Sequence, residues 1–329
     1  MRDACLSAGS HGAAFIFENM KKFAFVFPGQ GSQSVGMLDG WGDHPVVAQT
    51  LAEASEALGE NIGQLIQQGP KEALALTTNT QPVMLAAGVA VWRAWRAAGG
   101  ALPAAVAGHS LGEYSALVAA DSLAFADAVR LVRLRAEAMQ AAVPAGTGAM
   151  AAILGLDDAA VVAVCEAAAQ GEVVEPVNFN SPGQLVIAGH KAAVERACAL
   201  CKEQGAKRAL LLPVSVPSHC ALMQPAAEQL AAALADIEVR KPGIRVIHNA
   251  DVASHDEPQA IRDALTRQLY RPVRWTETVR LLAEDGLTQQ AECGPGKVLA
   301  GLGKRIDARV KTLALTDAAA LEAALTEFA

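Results

Sequence analysis

The 329 residues carry 27 lysines and arginines against 34 aspartates and glutamates, a formal charge of −7, and 52% of them are hydrophobic. That length accommodates one large domain with an inset or two modest domains; the apolar share excludes a disordered chain, and the acidic balance excludes a nucleic-acid surface built on general positive charge. Six scattered cysteines in so long a chain exclude the cysteine-dense framework of a small secreted protein.

Residues 1–19 lack the long apolar stretch of a signal peptide, their longest apolar run being 13–17. They read as a disordered leader or an over-long start, with Met20-Lys21-Lys22 as the natural beginning. Residues 23–27 form a compact apolar run closed by Pro28-Gly29, the pattern of a buried strand and a turn. Helical periodicity follows at 46–58 and 81–98. The apolar run 83–92 inside the second is too short to span a bilayer and runs into Arg93 and Arg96. A second short strand at 104–107 stops at Gly108, and helices are predicted at 111–120 and 127–142. This alternation predicts an α/β fold with a largely parallel sheet.

The texture changes after Pro144-Ala145-Gly146. Short strands are predicted at 150–154, 173–179, 185–189 and 208–214, with helices at 158–170 and 191–204. Their β-α-β-β-α-β order is ferredoxin-like. The α/β texture then resumes through strands at 245–249 and 289–293. A small subdomain, 146–214, is thus expected to be inserted in a larger domain formed by 20–145 and 215–329, and clefts between such bodies concentrate small-molecule sites. Cys198 and Cys201 form a C-x-x-C, but within a predicted helix and with no second ligand pair nearby, so packing is expected there rather than metal or redox chemistry.

Gly108-His109-Ser110-Leu111-Gly112 fits G-x-S-x-G, with an apolar strand before it and a helix after. A nucleophile on such a turn needs small neighbours, because the backbone is crowded there. Its hydroxyl projects at the helix N-terminus, where the Leu111 N–H can help to hold an oxyanion. The glycine-rich loop Pro28-Gly29-Gln30-Gly31 lacks a phosphate-binding signature and suits a second oxyanion donor, the Gln30 N–H. Of the seven histidines, His11, His44, His190 and His255 fall in the leader or in polar turns and loops. His109 adjoins the nucleophile too closely for good base geometry, and His248 reads as a satisfied strand-end residue. His219, on the segment returning from the inset, remains as the base, level on spacing alone with an ordinary loop histidine.

Arg135 gives an independent clue. On the helix 127–142, Ala128, Leu131, Val132, Ala138, Met139 and Ala142 form one apolar stripe, and Arg135 falls in its middle. A buried guanidinium requires an anion. Read alone, this residue is half of a structural ion pair, a snorkelling stem or a clamp for a carboxylate ligand.

Five motifs in chain order resemble the malonyl-CoA:acyl carrier protein transacylase family: residues 25–33 (FVFPGQGSQ), 107–116 (AGHSLGEYSA), 216–220 (VPSHC), 268–275 (QLYRPVRW) and 294–297 (GPGK). The resemblance runs from 21 to about 306. It implies an α/β-hydrolase-like core with an inserted ferredoxin-like subdomain. It makes Ser110 the nucleophile and His219 its base, with the Gln268 backbone carbonyl behind the imidazole in place of an acid. Gln30 and Leu111 would supply the oxyanion hole, and Arg135 the partner of the malonyl carboxylate. The implied activity is ping-pong malonyl transfer from malonyl-CoA to the phosphopantetheine thiol of acyl carrier protein, in the cytoplasm, by a monomer without metal or cofactor. A free-standing acyltransferase serving a polyketide carrier would use the same residues; a thioesterase would have no use for Arg135. Lys207, Arg208, Arg271, Arg274, Lys297, Lys304 and Arg305 are the basic residues expected to meet an acidic carrier protein.

Overall fold

The computed structural model describes residues 22–214 and 216–329, so the expected leader lies outside the described residues. The first sheet is parallel throughout. Its strands are β1 (Phe23–Phe27), β2 (Ala105–Gly108), β7 (Arg245–Ile247), β8 (Gln289–Glu292) and β9 (Lys311–Ala314), in the order β7-β2-β1-β8-β9. β1 is central and buried along its whole length, which is why it reads as an unbroken apolar run rather than an alternation.

Helices cover both faces: α1 (Pro45–Leu58), α2 (Ile62–Gln68), α3 (Lys71–Ala75), α4 (Thr77–Ala97), α5 (Gly112–Ala119) and α6 (Phe125–Ala141) precede the inset. α9 (Gln224–Ala235), α10 (Pro258–Gln268), α11 (Trp275–Glu284), α12 (Val298–Ile306) and α13 (Ala318–Glu327) follow it. α4 begins four residues before the predicted 81. Pro82 sits inside the helix, and the Thr80 hydroxyl donates to the Leu74 and Leu76 carbonyls at 2.6 and 3.0 Å. None of the helices among the described residues is long and apolar enough to cross a membrane.

The second sheet is antiparallel. β3 (Gly148–Leu154), β4 (Val174–Ser181), β5 (Gln184–His190) and β6 (Arg208–Leu211) lie in the order β4-β5-β3-β6, with α7 (Asp158–Ala169) and α8 (Lys191–Glu203) on one face. The first and third strands of the unit are central, the ferredoxin-like arrangement. β6 ends at Leu211, short of the predicted 214, because the chain leaves the sheet ahead of Pro213, which has no N–H to pair. Cys165, Cys198 and Cys201 are buried in the core between this sheet and its helices.

Two contacts dock the small sheet on the large body at the site. In one, Phe179 N–H donates to Val273 O at 3.0 Å and Val273 N–H donates to Val177 O at 2.8 Å; in the other, Thr276 Oγ1 donates to Phe179 O at 2.9 Å. The carboxyl ends of β1, β2, β7 and β8 open towards this seam, the position where parallel sheets place their ligands.

Candidate active site

β2 runs into Gly108 and α5 starts at Gly112, leaving three residues for a sharp reversal. A Cβ on Gly108 would lie 1.9 Å from Gly112 C, and one on Gly112 would lie 2.1 Å from Phe27 O. Only glycine lets the turn close against β1. Ser110, at its tip, has φ 51°, a left-handed conformation costing roughly 1–3 kcal/mol for a residue with a Cβ. Asn249, just past β7, holds it there: Asn249 Oδ1 accepts from Ser110 N at 2.7 Å, and Asn249 Nδ2 donates to Gly108 O at 2.6 Å.

His219 approaches from the segment that returns from the inset. It is also left-handed, at φ 66°, and its N–H donates to Leu269 O at 3.0 Å. Its Nδ1 lies 2.7 Å from the Gln268 carbonyl oxygen, which can only accept, so Nδ1 carries the hydrogen. Nε2 is therefore the free lone pair, and it faces Ser110 Oγ at 2.7 Å. The dyad has its hydroxyl, acceptor and orienting carbonyl within hydrogen-bond reach.

Burial, then the Arg135 charge, pushes His219 down to about 3, against the hydrogen bond to Gln268, which favours the charged ring. The imidazole is thus neutral and able to accept a proton at neutral pH. In the unfolded chain it takes up a proton near its ordinary 6.5. The folded state binds fewer protons between the two values, so this group weakens folding as pH falls from 6.5 towards 3 and has no effect above. The single-turnover acylation rate is expected to stay level from about pH 8 to about pH 5. Half-loss of that rate near 6.5 would contradict the depressed value.

Arg135, on α6, is 1% exposed and lines the same cleft, a cavity of about 250 Å³ that also includes Gln30, Ser110, Leu111 and His219. Its Nη1 donates to Gln81 Oε1 at 2.8 Å and its Nη2 to Gln268 Oε1 at 3.0 Å, while Nε has no partner. Both partners are neutral. Among the described residues the buried cation touches no carboxylate, and part of its fork remains available to a ligand. The Gln30 and Leu111 N–H groups enter none of the backbone hydrogen bonds between turns and loops among the described residues.

The other residues weighed from the sequence have other partners. His109 lines the same cavity, with its Nε2 2.8 Å from Asn180 Oδ1 and its ring packed on Trp275. His248, read as a satisfied strand-end residue, is fully buried with Nδ1 2.7 Å from Glu113 Oε1. Lys207, Arg208, Arg271, Lys297, Lys304 and Arg305 are exposed, and the half-buried Arg274 is paired with Glu277. Glu113, Asn249 and Gln81 were not singled out from the sequence. Each is a polar residue wholly or nearly buried, yet none is set apart by a local motif of its own.

The chain matches the acyl transferase domain family over residues 24–307. It is 60% identical over 309 residues to a malonyl CoA-acyl carrier protein transacylase of Salmonella typhimurium, covering 94% of this chain and 100% of that protein. A crystal structure of an acyl-carrier-protein S-malonyltransferase from Burkholderia pseudomallei superposes with TM-score 0.92 at 60% identity, over 93% of this chain and 100% of that one. A malonyl-transacylase in complex with its type II polyketide synthase acyl-carrier protein superposes with TM-score 0.92 at 56% identity, over 93% and 100%.

Proposed function

The chain belongs to the malonyl-CoA:acyl carrier protein transacylase family of acyl transferases, and from that premise we infer that it moves malonyl groups from malonyl-CoA to acyl carrier protein in fatty acid synthesis. Ser110 and His219 carry the two half-reactions. His219 Nε2 takes the Ser110 hydroxyl proton as Oγ attacks the thioester carbonyl. The Gln30 and Leu111 N–H groups hold the oxyanion. As the C–S bond breaks, coenzyme A leaves with the proton from His219, and malonyl-Ser110 remains. The phosphopantetheine thiol of the carrier then attacks the ester, passing its proton through His219 back to Ser110 Oγ. The Gln268 carbonyl favours the imidazolium formed in each step without an acid being present.

Arg135 receives the distal carboxylate of the malonyl group. The observation that supports this reading best is one cleft holding both the Ser110–His219 contact of 2.7 Å and a buried guanidinium whose hydrogen bonds among the described residues go to neutral amides. An acetyl group leaves that cation unanswered. Residues 146–214 act as an inset that walls one side of the cleft. The thiol that accepts the acyl group arrives on the carrier, so the enzyme brings no cofactor of its own, and its place is the cytoplasm. The exposed Lys207, Arg208, Arg271, Lys297, Lys304 and Arg305, with the half-buried Arg274, are the residues proposed to meet the acidic carrier.

Transfer of labelled malonyl from malonyl-CoA to holo and apo carrier protein tests the reading. Label is expected on the holo form alone, since only it has the thiol. Release of free malonate as fast as coenzyme A, whether or not carrier is present, would identify a hydrolase instead.

A further inference from the structure

Among the described residues Arg135 is buried without an anion in contact, and burying a lone cation is strongly unfavourable. The counter-charge lies one side chain away. Gln268 is fully buried, and its amide has two ends with different neighbours. Oε1 accepts from Arg135 Nη2 at 3.0 Å, and Nε2 donates to Glu113 Oε2 at 2.9 Å.

Glu113, in the first turn of α5, is itself fully buried. Asn249 N donates to its Oε2 at 2.9 Å, and His248 Nδ1 lies 2.7 Å from its Oε1. With Gln268 Nε2, Oε2 accepts from two N–H groups, the arrangement of a carboxylate oxygen. The start of a helix favours the same negative charge.

An acceptor-only Glu113 dictates which way the Gln268 amide points. Its NH2 end must face the anion, so its oxygen faces the cation. The amide dipole is aligned between the two charges, and the polarity is set from below the site. We propose that Glu113 is the buried counter-charge of Arg135, acting through the Gln268 side chain, and hence a positioning residue for selectivity towards carboxylated acyl groups. A direct Arg–Glu pair would occupy the guanidinium fork that an acyl carboxylate must use. With the charge set back by one amide, the cation is balanced and its fork still faces the cleft. Burial works to lower Arg135, and the neighbouring Tyr114 and Glu113 oppose it.

This inference rests on Arg135 receiving the acyl carboxylate, and its test separates the two. Wild type, Glu113→Gln, Glu113→Asp, Gln268→Leu and Arg135→Ala are compared for acylation by malonyl-CoA and by acetyl-CoA. Gln268→Leu keeps the backbone carbonyl that orients His219 and removes the amide link; it also removes the 2.9 Å bond from Gln268 Nε2 to Ser110 O, a loss that both acyl donors share and the ratio cancels, so it serves if Glu113→Gln does not fold. Both variants are expected to lower the malonyl-to-acetyl ratio of kcat/KM by roughly tenfold to a hundredfold, the worth of a hydrogen bond to a charged group. Glu113→Asp, which keeps the charge, is expected to restore most of the ratio. A merely structural role would lower both donors together and leave the ratio unmoved. An unmoved ratio in both variants, with Arg135→Ala losing it, overturns the role of Glu113 alone. A ratio unmoved in Arg135→Ala as well overturns the carboxylate clamp beneath it.

Discussion

Arg135→Ala is expected to lower kcat/KM for malonyl-CoA by a factor of hundreds or more while changing acetyl-CoA little. The magnitude follows from the chemistry of a buried carboxylate. Once the malonyl group enters the cleft, its carboxylate has lost water and depends on the guanidinium, and removing one partner of a buried pair costs about 3–5 kcal/mol. The acetyl group has no such dependence. Alanine also strands the Gln81 and Gln268 carbonyl oxygens that Arg135 now satisfies. That cost falls on both donors, so the acetyl reaction serves as the internal measure of it. Parallel kinetics with the two thioesters read the difference directly. A variant that kept its preference for malonyl would remove Arg135 from substrate recognition.

Ser110→Ala is expected to lower transfer by on the order of 10⁴–10⁶ in kcat, because no covalent intermediate can form and a nucleophile and its base act as one unit. Binding should survive. The Ser110 N–H that Asn249 holds is backbone, so alanine leaves the turn clamped. Alanine also keeps the same strained φ. A small decrease, with normal binding of malonyl-CoA, would mean that acyl transfer bypasses this hydroxyl.

What could be read in the sequence was whatever is local or periodic. The G-x-S-x-G turn shows itself because its crowding is written in three neighbouring positions, and Gly108 and Gly112 each meet backbone within about 2 Å of where a Cβ would be. Arg135 shows itself because a single charge interrupts a helical stripe. The parallel sheet is legible in β1 and β2, whose full burial gives unbroken apolar runs. β9, at the sheet edge, is only half-buried in Lys-Thr-Leu-Ala and has no such signal.

The support beneath the site is of another kind. Glu113 meets His248 and Asn249 across more than 130 residues, a pairing that no local pattern encodes. Gln268 is harder still, since its carbonyl orients His219 and any residue type would provide one. Only the resemblance to a family pointed to that position, and its side-chain link to Arg135 and Glu113 needed coordinates. His248 was read as an ordinary strand end for the same reason: its partner lies on another element.

The most direct test of the account is the intact mass of the protein after incubation with malonyl-CoA, with Ser110→Ala beside it and holo carrier protein added afterwards. A single malonyl adduct, absent from the variant and discharged onto the carrier, is the predicted result. No adduct on the wild-type chain, or an equal adduct on Ser110→Ala, would contradict a malonyl-serine intermediate at this site.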